Sequence, residues 1–270
     1  MMSSSDSPAR PIVALRRVAK SFASGTAALS GLDLDVREGE FLSLLGPSGC
    51  GKSTALRLIA GLGEPTGGTI AWNDAGPGRE ARRNIGFVFQ EPTLMPWASV
   101  KANVALPLRL QRADPAEADP RIADALRRVG LAGFAEAFPR ELSGGMKMRV
   151  SIARALVTRP ELLLMDEPFA ALDEITRFKL NNDLLEVWQA LGKTVVFVTH
   201  SVFESVYLSS RIVVMTPRPG RVFAEIEIDA PFPRGEDFRT SAEYAGYCRR
   251  VSGALARAMA GENFASGEHR

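Results

Sequence analysis

Apolar residues along this chain keep two rhythms. Leu32, Leu34 and Val36 alternate with polar positions after an earlier burst of Ile12, Val13, Leu15 and Val18, the pattern of strands with one buried face. Phe41-Leu42-Ser43-Leu44-Leu45 is a near-continuous apolar run that Gly46-Pro47 breaks, which predicts a strand covered on both sides. Ala55, Leu56, Leu58 and Ile59 then fall on helical spacing from Lys52 to Ala60 and stop at Gly61. A further apolar run, Ile85 to Phe89, reads as a strand ending at Gln90. From about Glu91 to Ala155 the strand-like runs cease. Helical stretches near Val100–Leu110, Ala118–Val129 and Met146–Val157 replace them, separated by Pro107, Pro115, Pro120, Gly130, Gly133 and Pro139. Alternation then resumes, with strands at Leu162–Met165, Thr194–Thr199, Ile212–Met215 and Val222–Ile228 and helices at Glu174–Leu191 and Phe203–Leu208. On the longer helix, Ile175, Phe178, Leu184, Leu185, Trp188 and Leu191 are expected to share the buried face.

Strands alternating with helices predict an α/β fold with a mostly parallel sheet covered on both faces. Residues 91–155 read as an inserted α-helical subdomain. Residues 1–10 are polar and read as a disordered lead-in; 11–230 form the main domain, and 231–270 form a C-terminal extension with a weak helical pattern near Tyr244–Met259. Composition narrows the setting. The chain has 270 residues, 46% of them hydrophobic and 24% charged, with a formal net charge of +2, so charge supplies no argument for a nucleic-acid partner. Two cysteines without a CxxC spacing fit a reducing compartment. No apolar run approaches the ~18–20 residues of a membrane span, and the start lacks the basic-then-apolar order of a signal peptide, so any work at a membrane is expected beside it.

Three motifs carry chemistry. Gly46-Pro47-Ser48-Gly49-Cys50-Gly51-Lys52-Ser53-Thr54 matches GxxxxGK[ST] between an expected strand and an expected helix. The glycines let successive N–H groups turn toward phosphate oxygens at a helix N-terminus. Lys52 is placed to reach the β- and γ-phosphates and Ser53 to ligate Mg²⁺. Cys50, at a small-residue position, reads as filler. Leu162-Leu163-Leu164-Met165-Asp166-Glu167-Pro168 is a core strand that delivers two carboxylates at the ligand-binding edge of a parallel sheet. Asp166 can hold Mg²⁺ through its water shell, and Glu167 can polarise an attacking water. Alone, this motif also describes a solvated turn; its force comes from sharing a domain with the phosphate loop. Leu142-Ser143-Gly144-Gly145-Met146 opens a helix whose N-cap is Ser143 and whose glycines leave N–H groups uncovered, a second anion-ready helix start.

Taken in order, GPSGCGKST, Gln90, LSGGM, LLLMDEP, Ala171-Leu172-Asp173 and His200 resemble the ATP-binding subunit of an ATP-binding-cassette (ABC) transporter over residues 11–230. The stretches from Phe89 to Trp97, Asp166 to Asp173 and Val213 to Arg221 are similar to the nitrate/sulfonate/taurine importer branch. The resemblance implies a P-loop NTPase (RecA-like) core with an N-terminal antiparallel β part, and ATP hydrolysis with Mg²⁺. It implies that Phe22 stacks on adenine, with core packing as the rival reading. It implies that Gln90 contacts Mg²⁺ and the attacking water, that Glu167 is the catalytic base and that His200 holds the γ-phosphate. Ser143, Gly144 and Gly145 would close over the nucleotide of a second copy, with Asp173 at that dimer interface. Met95, Pro96 and Trp97 would meet a membrane permease, Trp97 having core packing as its alternative. A solute-binding protein would act indirectly, and the subunit would lie on the cytoplasmic face of the membrane. The chain departs from the family pattern at Met146 and Met148, where Gln is common, at Ala170, and at Ser201, where Asp is frequent; none of these removes a phosphate, metal or base group. The rival is a soluble ABC-type ATPase uncoupled from transport, whose usual second cassette or long coiled-coil insertion is missing from this sequence. A kinase or GTPase lacks support without an NKxD motif.

Overall fold

The computed structural model describes residues 11–72 and 85–261; the expected lead-in at 1–10 lies outside the described residues. Two sheets build the core. The smaller is antiparallel, in the order β2-β1-β4, from β1 (Pro11–Ser21), β2 (Ala27–Arg37) and β4 (Gly67–Trp72). The larger runs β5-β6-β7-β3-β8-β9, from β3 (Phe41–Leu45), β5 (Ile85–Val88), β6 (Leu162–Asp166), β7 (Thr194–Thr199), β8 (Arg211–Met215) and β9 (Val222–Glu227). Its first five strands are parallel and β9 is antiparallel to β8. Every residue of β3, β6, β7 and β8 is buried, which is why these strands read as unbroken apolar runs. β4 escaped the periodicity because it pairs only with β1 and buries none of its residues fully.

One apolar layer joins the faces of β1, β2, β3, β6 and β7 to α1 (Lys52–Ile59) through Val13, Leu34, Leu44, Leu56, Ile59, Leu164 and Val196. The other face carries α2 (Val100–Leu110), α3 (Pro115–Arg128), α4 (Gly144–Leu156) and α5 (Glu174–Leu191). Two prolines expected to separate helices lie inside them: Pro107 within α2 and Pro120 within α3. Each removes one backbone donor, a cost that burial of Val100, Val104 and Leu108, or of Ile122, Ala125 and Leu126, outweighs. Pro115 instead opens α3 directly after its Asp114 cap, where a missing N–H costs nothing. On α5 the expected face is corrected at its start: Ile175 is 83% exposed and Phe178 42%, while Leu180, Asn181, Leu184, Leu185 and Val187 are buried. The apolar set of α5 is wider than one stripe, and spacing alone could not say which part meets the core.

The chain after residue 230 packs back on the sheet. Between α6 (Val202–Leu208), β8 and β9, the helix α8 (Ala242–Met259) buries Cys248, Val251, Ala254 and Ala258 against Val206, Ile212, Val214 and Phe223. A short turn of helix, α7 (Glu236–Arg239), precedes it.

Candidate active site

The loop 46–51 leaves the buried end of β3 and enters α1 with its geometry set by glycine. Gly51 has φ +105°, and a Cβ there would sit 2.7 Å from the Ala28 carbonyl oxygen. Strand β2 therefore lies directly against the loop, an approach only glycine permits. Cys50 is 1% exposed, and burial pushes its thiol up from its ordinary value, as expected of a filler rather than a reactive group. Lys52 is buried and its ammonium donates to the carbonyls of Gly46 at 2.7 Å and Pro47 at 3.0 Å. These bonds hold the cation inside the curl of its own loop.

The strand order brings the two carboxylates to this loop. β6 ends two strands from β3, so Ser53 at the start of α1 donates its hydroxyl to Asp166 at 2.7 Å. Asp166 is 7% exposed; burial pushes its carboxyl up from the ordinary range, and the Ser53 bond opposes that. The next residue, Glu167, takes φ +45°, a strained backbone for a non-glycine residue. That turn aims its carboxylate at the loop: one oxygen is 3.8 Å from the Lys52 ammonium and the other 3.3 Å from Nδ1 of His200. His200 follows the C-terminal end of β7, and its ring is half exposed.

Lys52, Ser53 and Glu167 open into a cleft of about 440 Å³ lined also by Phe22, Ser48, Gly49, Gly51, Thr54 and Gln90, among others, while Asp166 and His200 are not among its lining residues. Phe22 is 48% exposed, which removes the core-packing reading. The remaining expected residues stand elsewhere. Ser143 caps α4 by accepting from Met146 N, and Gly144 and Gly145 pack beside Leu172 and Thr176. Asp173 caps α5 from an exposed position. None of these four lines the cleft of its own chain. Trp97 is 76% exposed.

Four cleft residues, Ser24, Thr26, Ala28 and Arg218, fall outside the motifs that carry chemistry in the sequence, and Arg218 is the charged one among them. Arg218 lies on the turn after β8 and donates from Nε to the Gly49 carbonyl at 3.0 Å. The rule that ligands gather at the C-terminal ends of parallel strands could have found it, since β8 is the neighbour of β3.

The donor set suits a hard divalent cation. The Ser53 hydroxyl and an Asp166 oxygen converge, Gln90 lines the same cleft, and burial leaves the carboxylate charge in want of a counter-charge. Among the described residues no group of three or more His, Cys, Asp or Glu could hold a metal alone. A cation here must complete its shell with phosphate oxygens and water, as Mg²⁺ characteristically does.

Comparison with known proteins now decides the family, for the one described as ABC transporter matches residues 29–170. The chain belongs to the ABC transporter family. It is 49% identical over 227 residues to an uncharacterized ABC transporter ATP-binding protein of Methanocaldococcus jannaschii, covering 83% of this chain and 82% of that one. It is 45% identical over 221 residues to the aliphatic sulfonates import ATP-binding protein of Bacillus licheniformis, covering 80% and 84%. A dimeric ATP-binding cassette solved in a post-hydrolysis state with ADP and Pi superposes with a TM-score of 0.69 at 37% identity, over 81% of this chain and all of that one. As an ABC subunit the chain binds ATP and hydrolyses it to power transport through a separate permease. No helix among the described residues is long and apolar enough to cross a membrane.

Proposed function

We propose that this subunit drives uptake of a small sulfonate or a similar oxoanion, and that two copies close over two ATP molecules at the cytoplasmic face of the membrane. The transported class follows the sulfonate importer relative. The single observation that carries the catalytic reading is the meeting of Lys52, Glu167 and His200 at the mouth of the phosphate loop, from three separate strand ends. Glu167 accepts a proton from the attacking water, whose oxygen bonds to the γ-phosphorus. The bond from that phosphorus to the β–γ bridging oxygen breaks, and ADP leaves with the electron pair. Lys52 neutralises charge on the β- and γ-phosphates, and His200 donates to the γ-phosphate from the side opposite the loop. Ser53, Asp166 and Gln90 would hold Mg²⁺, which when bound neutralises the phosphate oxygens. Phe22 offers its exposed face to adenine.

Among the described residues that line the cleft, the one helix start is that of α1 itself. The start of α4 offers a second, with Ser143 and Gly144 exposed and Gly145 buried beside them, and none of the three lines the cleft of its own chain. A second copy, turned so that each α4 start meets the other's loop, supplies the missing donors and excludes water. Asp173 then sits at the seam. Trp97 and its neighbours face the permease, and a solute-binding protein delivers cargo to its far side.

The test is Glu167→Gln. It keeps shape and hydrogen bonding but cannot take the proton, so phosphate release should fall at least about 100-fold while ATP binding persists. ATP should then trap a dimer visible by size-exclusion chromatography. A variant that hydrolyses ATP at the parent rate would remove Glu167 from the role of base.

A further inference from the structure

We infer that Arg218 is a second cation for the nucleotide's polyphosphate, presented by a turn outside the motifs that define the phosphate loop. The inference rests on the cleft being the ATP site and adds to it a residue that sets affinity. Among the residues lining that cleft the cationic ones are Lys52 and Arg218, and the two are held differently. Lys52 is buried and spends donors on Gly46 and Pro47. Arg218 is exposed; its Nε is committed to the Gly49 carbonyl, and its terminal nitrogens carry the remaining donors of the guanidinium fork. One of those nitrogens lies 3.1 Å from where a Cβ on Gly49 would stand, so the fork rests over the loop's outer edge.

The turn that carries Arg218 is built to hold it there. Thr216 N donates to the Arg221 carbonyl at 3.0 Å, and Arg221 N donates back to the Thr216 hydroxyl at 3.0 Å. Gly220 N donates to the Ala28 carbonyl at 2.9 Å, and Ser30 N to the Gly220 carbonyl at 3.2 Å, so the turn is stitched to β2. Arg221 reaches Ser30 at 3.2 Å. Gly220 itself is wedged against the loop, for a Cβ there would stand 2.0 Å from the Cys50 carbonyl oxygen. A cation fixed this way loses little side-chain freedom when an anion arrives, and a planar guanidinium can donate to a loop carbonyl and a phosphate oxygen together.

The experiment compares the full chain with Arg218→Ala, Arg218→Gln and Arg218→Lys, measuring equilibrium binding of ATP, ADP and adenosine at two salt concentrations. Arg218→Ala should weaken ATP on the order of tenfold, the ratio one charge-assisted hydrogen bond supports. Adenosine, which has no phosphate, should bind all variants alike. Arg218→Lys should recover part of the loss, and Arg218→Gln, able to serve Gly49 without charge, should recover little. The parent chain should also lose more ATP affinity to salt than Arg218→Ala does. Equal ATP affinity in Arg218→Ala and the parent overturns the inference, as does full recovery by Gln or a matching loss of adenosine. A parent chain that itself fails to bind ATP would instead strike the reading of the cleft, so the two failures are distinguishable.

Discussion

At the scale of single residues, the catalytic cleft depends on backbone positions where no side chain fits. Gly220 is the sharpest of them, because it belongs to a turn about 170 residues beyond the phosphate loop it presses on. A methyl group there would lie 2.0 Å from the Cys50 carbonyl and 2.9 Å from Cε of Met215. Cys50 cannot yield freely, since it is packed within the loop, and the turn cannot retreat without breaking its two bonds to β2. Gly220→Ala should therefore cost about 1–3 kcal/mol of stability by overpacking and lower ATP affinity by displacing the loop. Gly235→Ala is the matched control: its Cβ meets nothing within 4 Å, and its φ of −110° suits any residue. Thermal melting of the two variants, with and without ATP, checks this; equal melting would mean that the loop absorbs the intrusion.

At the scale of elements, the segment before α2 is held by one buried side chain. Asn103, with no exposed surface, accepts from Met95 N at 2.8 Å and donates to the carbonyls of Met95, Ala98 and Ser99. It fixes the bend that leaves Trp97 in solvent. Asn103→Ala would strand the Met95 N–H and the Ala98 carbonyl, while the Met95 and Ser99 carbonyls keep the backbone donors Ala98 N and Asn103 N, a loss of about 1–3 kcal/mol. Amide hydrogen exchange should quicken at Met95–Ser99 and stay slow in β6 and β7. Uniformly unchanged exchange would remove Asn103 from this role. Nothing in the sequence marked this residue, because a polar side chain in a helical run reads as surface. The phosphate loop was legible for the opposite reason: its groups are contiguous, and the strand before it and the helix after it announce themselves by apolar rhythm. The pairs Ser53–Asp166 and Glu167–His200 are only implied by a sequence, since they exist through strand order. β4 stayed hidden because half-buried strands with two leading glycines carry no alternation.

At the scale of the whole molecule, the chain beyond residue 230 is part of the core, and the residue that fastens it is Arg234. Its sequence shows only a weak helical pattern, for its apolar positions are sparse and their partners lie on distant strands. Arg234 is 5% exposed and donates to the carbonyls of Val206, Tyr207 and Ser209 at the end of α6, and to those of Ile228 and Ala230 after β9. Its guanidinium also lies over the rings of Phe232, 4.0 Å away, and Phe238, 5.2 Å away. Burial pulls its pKa down to about 10, so it still carries its charge at pH 7. No Asp or Glu pairs with it among the described ion pairs; carbonyl dipoles and the two ring faces hold the cation, with the charge of Glu243 acting from farther off. Arg234→Met keeps much of the apolar stem but leaves five carbonyls without their donor, which should cost about 3 kcal/mol. For a domain of this size that corresponds to roughly 6–12 °C in melting temperature. Arg234→Lys should fall between, because an ammonium cannot span both clusters of carbonyls as a planar fork does. ATP affinity should hold in all three proteins, since no residue after 230 lines the nucleotide cleft. A chain ending at Ala230 would uncover Val206, Ile212 and Val214 together and should be recovered only as aggregate, whereas a soluble, ATP-binding truncation would show that the extension rests on the fold without sustaining it.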